Sequence, residues 1–254
     1  MKRGERVALA PAFILHRHAW RESSSILEIF SREHGRFGMV ALGARRPKTI
    51  WRAWLRPFQP LLLSWVEGRE LATLTGAEPQ APAAPLSADA LMSGYYLNEL
   101  LLRLVMRHDP QPELYDCYAR ALGALAESVR PVLRRFEKEL LAALGYGLSL
   151  ERDAASGKPL EAGGWYRYAP ERGPLRVAAP DGTGLVVHGA TLLALASGNL
   201  LQPEVLREAQ QVTRAMLDVV LDGRPLRTRE VMRGFGRLHL GDPRQESFTN
   251  GEGG

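Results

Sequence analysis

The stretch GRFGMVALGARRPK, residues 35–48, sets the reading of the chain. Phe37, Met39, Val40 and Leu42 form an apolar, strand-like run that ends at Gly43, and Arg45, Arg46, Pro47 and Lys48 follow at once. His34–Gly35 is a tight-turn signal. Before it, SSILEIFS (24–31) sets Ile26, Glu28 and Phe30 against Leu27 and Ile29 in residues that favour strands. The two runs are expected to form a hairpin with the three cations at its tip. Mutual repulsion disfavours such a cluster unless it meets solvent or an anion.

Working outward, AFILHRHAW (12–20) reads as a first strand, and PLLLSWVEG (60–68) and RELATLTGAE (69–78) as two more, turning at Glu67-Gly68-Arg69. Five short strands in about 70 residues predict a closed barrel, because so small an open sheet would expose its edges and one face. The pattern suits an SH3-like barrel and an OB-fold equally. PQAPAAPLSA (79–88) is uncharged and rich in Pro and Ala, as expected of a domain boundary. It divides an N-terminal domain, 1–80, from a helical domain, 81–241.

Beyond the boundary the period becomes helical. One helix is expected from an N-cap at Ser87 to just before Pro110, apolar on nearly all faces, with Glu99 inside and paired to an arginine. PELYDCYARALGALAES is a second. RPVLRRFEKELLAALGYG is a third, with Pro131 in its first turn and Gly145 at its end. Leu133, Phe136, Leu140, Leu141 and Leu144 share its apolar face. Arg134, Arg135 and Lys138 lie off it, as a solvated surface or a second anion site. Residues 146–184 read as an irregular insertion with strand-like WYRYA and LRVAA. HGATLLALASGNL, PEVLREAQQVTRAMLDVVLDG and TREVMRGFGRL return to helix, and the tail, 242–254, is expected to be disordered.

The 254 residues carry one cysteine, Cys117, which excludes an intramolecular disulfide and a four-cysteine zinc site and fits a reducing compartment. No run approaches the roughly 18–20 apolar residues of a membrane helix. Lys2, Arg3 and Arg6 before VALAPAFIL resemble a secretory leader. But Pro11 interrupts the run and HRHAW stands where small cleavage-site residues belong, so a first strand with a basic lead-in is expected. The net charge of +5 is uneven: residues 1–60 hold 12 Lys/Arg against 4 Asp/Glu. That asymmetry points to a polyanion at the N-terminal end, against the plain alternative of a solvated basic face.

The histidines (16, 18, 34, 108, 188, 239) are scattered and form no HExxH pair. His16 and His18 alternate on one strand face, a weak metal motif with no carboxylate beside it in sequence. Phosphate-binding loop, nucleophile elbow and dinucleotide fingerprint are all lacking, which lowers the expectation of an enzyme.

VALGARRPK, LRPFQPLLL, YYLNELLLRL, LRRFEKELLAALGYGL, SGKPL and GRPLRTREVMR occur in order over nearly the whole chain. Together they resemble the bacterial recombination mediator family RecO. The resemblance implies an α+β chain: an N-terminal OB-fold barrel, then an α-helical domain interrupted by a zinc-site-like segment. It implies a non-enzymatic, cytoplasmic protein without nucleotide or other cofactor. Such a protein binds single- and double-stranded DNA, anneals complementary strands and, with RecR and in some settings RecF, helps load RecA onto DNA coated by single-stranded DNA-binding protein. It also implies binding to the acidic C-terminal tail of that coating protein. The chain departs from the family in its interrupting segment, LSLERDAASGKPLEAGGWYRYAPERG, which has none of the four cysteines many members carry. No metal is expected there, and packing alone must hold a segment expected to be mobile.

On this resemblance Arg32, Arg36, Arg45, Arg46, Lys48, Arg52 and Arg56 are the expected DNA-binding cations, and their phosphate contacts would carry no sequence preference. Trp51 and Trp54 either stack on bases, worth about 1–3 kcal/mol each, or pack in the barrel mouth or on the next domain. For the acidic tail the candidates are Leu133 as a pocket wall with Arg134 and Arg135, then Arg227 and Arg229. The competing reading is an RNA-binding OB-fold accessory factor of the ribosome or translation. A third is a nucleic-acid-processing enzyme with dispersed carboxylates.

Overall fold

The computed structural model describes residues 4–83 and 85–232. The expected 242–254 tail, His239, and the Lys2 and Arg3 lead-in lie outside the described residues.

Strands β1 (Arg6–Trp20), β2 (Ser24–Ser31), β3 (Gly35–Ala41), β4 (Leu61–Val66) and β5 (Ala72–Pro79) close a barrel in the order β1-β2-β3-β5-β4. Every pairing is antiparallel except β3–β5, which run parallel at Met39–Ala72 and Val40–Thr73. Alternation turns Leu27, Ile29, Phe37, Met39, Leu61, Leu63, Trp65 and Leu74 into one buried interior. This five-stranded barrel is of the OB type, which settles the choice the strand pattern left open.

The hairpin β2–β3 turns at residues 32–34, so Arg45, Arg46 and Lys48 are not at its tip. They lie beyond β3, in the crossing to β4. That crossing also carries a single helical turn absent from the sequence reading, α1 (Trp51–Trp54). Trp51, Trp54 and Leu55 pack it onto the barrel interior.

Helices α2 (Ala88–Leu104) and α3 (Pro112–Ala124) cover one outer wall of the barrel, and α4 (Val129–Ala143) packs on both of them. Ser87 caps α2 by accepting the Ala90 N–H at 3.4 Å. Gly145, at φ +83°, follows the last turn of α4. Phe13 and Leu15 of β1, Phe30 of β2 and Phe58 point out of the barrel into the helical core. Phe13 meets Tyr115 and Tyr118 with ring centroids 5.3 and 5.1 Å apart. Asn98 donates to the Leu15 carbonyl at 2.8 Å and accepts from the Tyr118 hydroxyl at 2.5 Å.

Helix α2 stops at Leu104 and does not reach Pro110. Residues 105–109 instead form a strap along β3, bridging Arg36 at Arg107 and turning at His108. The His108 N–H donates to the Arg36 carbonyl at 2.9 Å, and Arg36 Nε donates to the Val105 carbonyl at 2.9 Å. The cause is the barrel's geometry: β3 pairs with β5 only at Met39 and Val40, so its first half needs another partner. Gly35 (φ +66°) sits where any Cβ would collide with the Asp109 backbone.

Beyond α4, β6 (Trp165–Ala169), β7 (Gly173–Val177) and β8 (Val186–His188) make a small sheet in the order β7-β6-β8. The sequence reading missed β8, which has only three residues. The cysteine-free segment before it is tied by Asp153. This carboxylate accepts the N–H groups of Ala155, Ser156 and Arg176 and the Ser156 hydroxyl at 2.7–3.2 Å. Helices α5 (Gly189–Ser197) and α6 (Pro203–Val220) complete the packing. The helical residues 227–232 are capped by Glu99, whose carboxylate accepts both the Arg227 and Thr228 N–H groups at 2.9 Å. Burial opposes its ionisation, but these bonds, the Thr228 hydroxyl and Arg103 hold its pKa below the ordinary value.

Candidate nucleic-acid interface

The structure separates the expected cations into two groups. Arg32 forms a two-bond pair with Asp116 of α3, both at 2.9 Å, and Asp116 together with Glu33 raises its pKa. Arg36 is wedged between Glu28, at 2.7 Å, and the strap. Burial lowers its pKa, with Glu28 opposing and Arg107 reinforcing that shift. Both arginines join the barrel to the residues after it, Arg32 through Asp116 and Arg36 through the Val105 carbonyl.

Arg45, Arg46, Lys48, Arg52 and Arg56 are exposed. None has a carboxylate in ion-pair reach among the described residues. Their loop is fixed against the β1–β2 turn: the Arg45 N–H donates to the Ser23 carbonyl at 2.8 Å and its guanidinium to the Arg21 carbonyl at 3.3 Å. That contact draws in two cations the sequence reading passed over, Arg17 and Arg21. Arg17 donates to Ser25 Oγ at 3.2 Å and to the Leu55 carbonyl at 3.0 Å. Its pKa is lowered by burial first, then by Arg45 and Arg52. The cluster is therefore a set of mutually repelling charges of which Arg17 and Arg45 are anchored on the Leu55 and Arg21 carbonyls. Trp51 and Trp54 are half-buried, each with part of its ring on the barrel interior and part at the surface.

The second group of candidates divides as well. A cavity of about 260 Å³ is lined by Leu133, Arg134, Glu137 and Tyr96, with Gln210 and Arg214 of α6, Arg229 and Met232. Arg134 does not belong to a solvated helix face: it is buried and paired to Glu137 at 2.5 Å. The Tyr96 hydroxyl donates to the same carboxylate at 2.7 Å, and burial, then the Glu137 charge, raises its pKa. Arg134 Nε and Glu137 Oε2 are buried without a partner among the described residues. Arg229 pairs with Asp218 at 2.5 Å.

Arg135 and Arg227 lie outside this cavity. Arg135 donates to the Gly198 carbonyl at 3.0 Å, and Arg227 borders a separate groove with Leu15, His16 and Tyr95. Tyr96, Gln210, Arg214 and Met232 were not anticipated, because helical period shows which residues share a face and not which helices meet.

His16 and His18 stack edge-on with centroids 4.1 Å apart. Among the described residues no group of three or more His, Cys, Asp and Glu is placed to hold a metal ion, and no helix is long and apolar enough to cross a membrane.

Residues 6–83 match the family profile described as Recombination protein O N terminal, and residues 86–230 that described as Recombination protein O C terminal. The chain is 45% identical over 235 residues to a protein of Nitrosococcus oceani, with 92% of this chain and 96% of that one covered. It is 48% identical to one from Alkalilimnicola ehrlichii (92% and 94% covered) and 44% identical to one from Aromatoleum aromaticum (92% and 98%). All three are named DNA repair protein RecO. With both domain profiles matched in order on an OB-type barrel and its helical partner, the chain belongs to the RecO family of DNA repair and recombination proteins.

Proposed function

We propose that this protein is a non-enzymatic recombination mediator of the cytoplasm. It binds single- and double-stranded DNA without sequence preference and anneals complementary strands. With RecR, and in some settings RecF, it helps load RecA onto DNA coated by single-stranded DNA-binding protein. The observation that carries this reading is the loop of Arg45, Arg46, Lys48, Arg52 and Arg56, exposed and without carboxylate partners among the described residues. A phosphate backbone supplies the missing negative charge at each position and carries no sequence information. We assign the acidic tail of the coating protein to the cavity of Leu133, Arg134, Arg214 and Arg229, where its carboxylates would compete with Glu137 and Asp218 for the arginines and Leu133 and Met232 suit an apolar end.

The deciding experiment is a salt series of anisotropy measurements on dye-labelled single-stranded DNA. Tight binding with a steep negative slope and no sequence preference is expected. No binding at low salt would remove the DNA role, and a preference for structured RNA would replace it with the accessory-factor reading.

A further inference from the structure

The outer face of β1 carries three ring-bearing residues at alternate positions, His16, His18 and Trp20. They lie past the bulge between Ile14 and His16, in a stretch that pairs regularly with β2, opposite Glu28, Ile26 and Ser24. Strand alternation puts all three on one face. The two imidazoles are exposed and 4.1 Å apart. Trp20 is half-buried, with the Arg21 guanidinium 4.1 Å from its ring centroid. Ile26 and Val40, paired across β2 and β3, continue the face, and Leu42 beyond them is 54% exposed.

At His16 this face borders a groove beside α2 and Arg227, and from His18 onward it runs away from that groove toward the cation loop. Phe13, Leu15 and Phe30 lie beneath α2 and α3, whereas His16 and His18 are exposed to solvent. The carboxylate of Glu28, paired opposite His16, is already neutralised by Arg36 and Arg107 at 2.7 and 2.5 Å. The row ends at Trp20–Arg21, and there the Arg45 guanidinium bonds the Arg21 carbonyl. A bare row of rings therefore runs directly into the cation loop.

We propose that His16, His18 and Trp20, with Arg21 stacked on Trp20, form a platform for the unpaired bases of single-stranded DNA, separate from the loop that holds phosphates. The inference rests on the DNA-binding reading above and adds to it a division of labour. Every base has a π face, so stacking on Trp, His or an arginine plane tolerates any sequence. In a duplex the bases are already stacked on one another and phosphates dominate what is offered. The loop thus serves both DNA forms, and the ring row serves single strands alone. Strands that pair with each other withdraw their bases from the platform, and the annealed product keeps only its phosphate contacts.

The test compares Trp20→Ala, Trp20→Phe and His18→Ala with the unsubstituted protein. Ligands at fixed salt are a mixed-sequence single strand, the duplex of the same length, and a strand of equal length made of abasic sites. Trp20→Ala is expected to weaken single-strand binding on the order of tenfold and to leave duplex binding within about twofold, whereas Trp20→Phe keeps near the original affinity. His18→Ala loses a few-fold on the single strand alone. As His18 is exposed, that variant decides the matter even if Trp20→Ala fails to fold. The abasic strand should bind the unsubstituted protein no better than duplex does. Equal losses on single strand and duplex, no loss on the single strand, or an abasic strand bound as tightly as an ordinary one would each overturn the platform and leave the DNA reading standing. Failure of the unsubstituted protein to bind any of the three would instead remove the DNA reading itself.

Discussion

Arg32 and Arg45 are the same side chain 13 positions apart, yet one is fastened to Asp116 and the other has only backbone around it. For the loop cations the expectation is electrostatic. Arg45→Ala with Arg46→Ala should weaken DNA binding equally across sequences and reduce the slope of log K against log salt by roughly 1–2. An unchanged slope would show that these arginines touch no phosphate. In the helical cavity the discriminating pair is Arg214 and Arg135. Arg214→Ala is expected to weaken binding of an acidic tail peptide severalfold, and Arg135→Ala to leave it unchanged, as read by peptide anisotropy. Arg134 is a poorer probe. Removing it strands the buried Glu137 carboxylate, a defect that typically costs about 3–5 kcal/mol of stability. Which residue types mattered was legible in the sequence, since a run such as Arg45–Lys48 is visible as text. Which arginines were already engaged was not: Arg32 and Asp116 lie 84 residues apart, and a long-range ion pair leaves no local pattern.

At the scale of elements, the five barrel strands could be read as short apolar runs between turn signals, with clear alternation in SSILEIFS, although β1 and β2 bury residues on both faces because the helices cover their outer side. The end of α2 was misread for the opposite reason. Pro110 disfavours helix only at Asp109, and from Val105 to His108 it is the unpaired first half of β3 that draws the chain into the strap. Strand β8 was missed because three residues hold too little pattern. The cysteine-free segment was expected to be mobile, and Asp153 ties it together: one carboxylate receives four donors. Those bonds hold its pKa at about 2, against an ordinary 3.8. The folded form has the lower pKa. The stabilisation is therefore complete above pH 3.8 and fades as the pH falls toward 2. Asp153→Ala should accordingly raise amide exchange across residues 153–177 at neutral pH and leave the barrel strands protected. Unchanged exchange in that segment would mean that packing alone suffices.

For the whole molecule the important feature is the shared core. Phe13, Leu15, Phe30 and Phe58 belong to the barrel by sequence and to the helices by packing. Each such burial is worth about 1.5–3 kcal/mol, and the total stability of a domain is only about 5–15 kcal/mol. The intact chain is expected to melt in one calorimetric transition. Residues 1–83 made alone should unfold far below that temperature or aggregate. Two separate transitions, or a stable isolated barrel, would show that the halves stand independently.

The strap has a further consequence for the order in which the chain is made. A polypeptide leaves the ribosome from its N-terminus, and all five barrel strands emerge before residue 80. The first half of β3 still lacks its partner then, because residues 105–109 have not been synthesised. Arg32 likewise waits for Asp116, and Phe13 for Tyr118. The barrel is first in the gene but is not finished when its own strands are made, and the nascent chain carries an open seam until its third helix has left the exit tunnel.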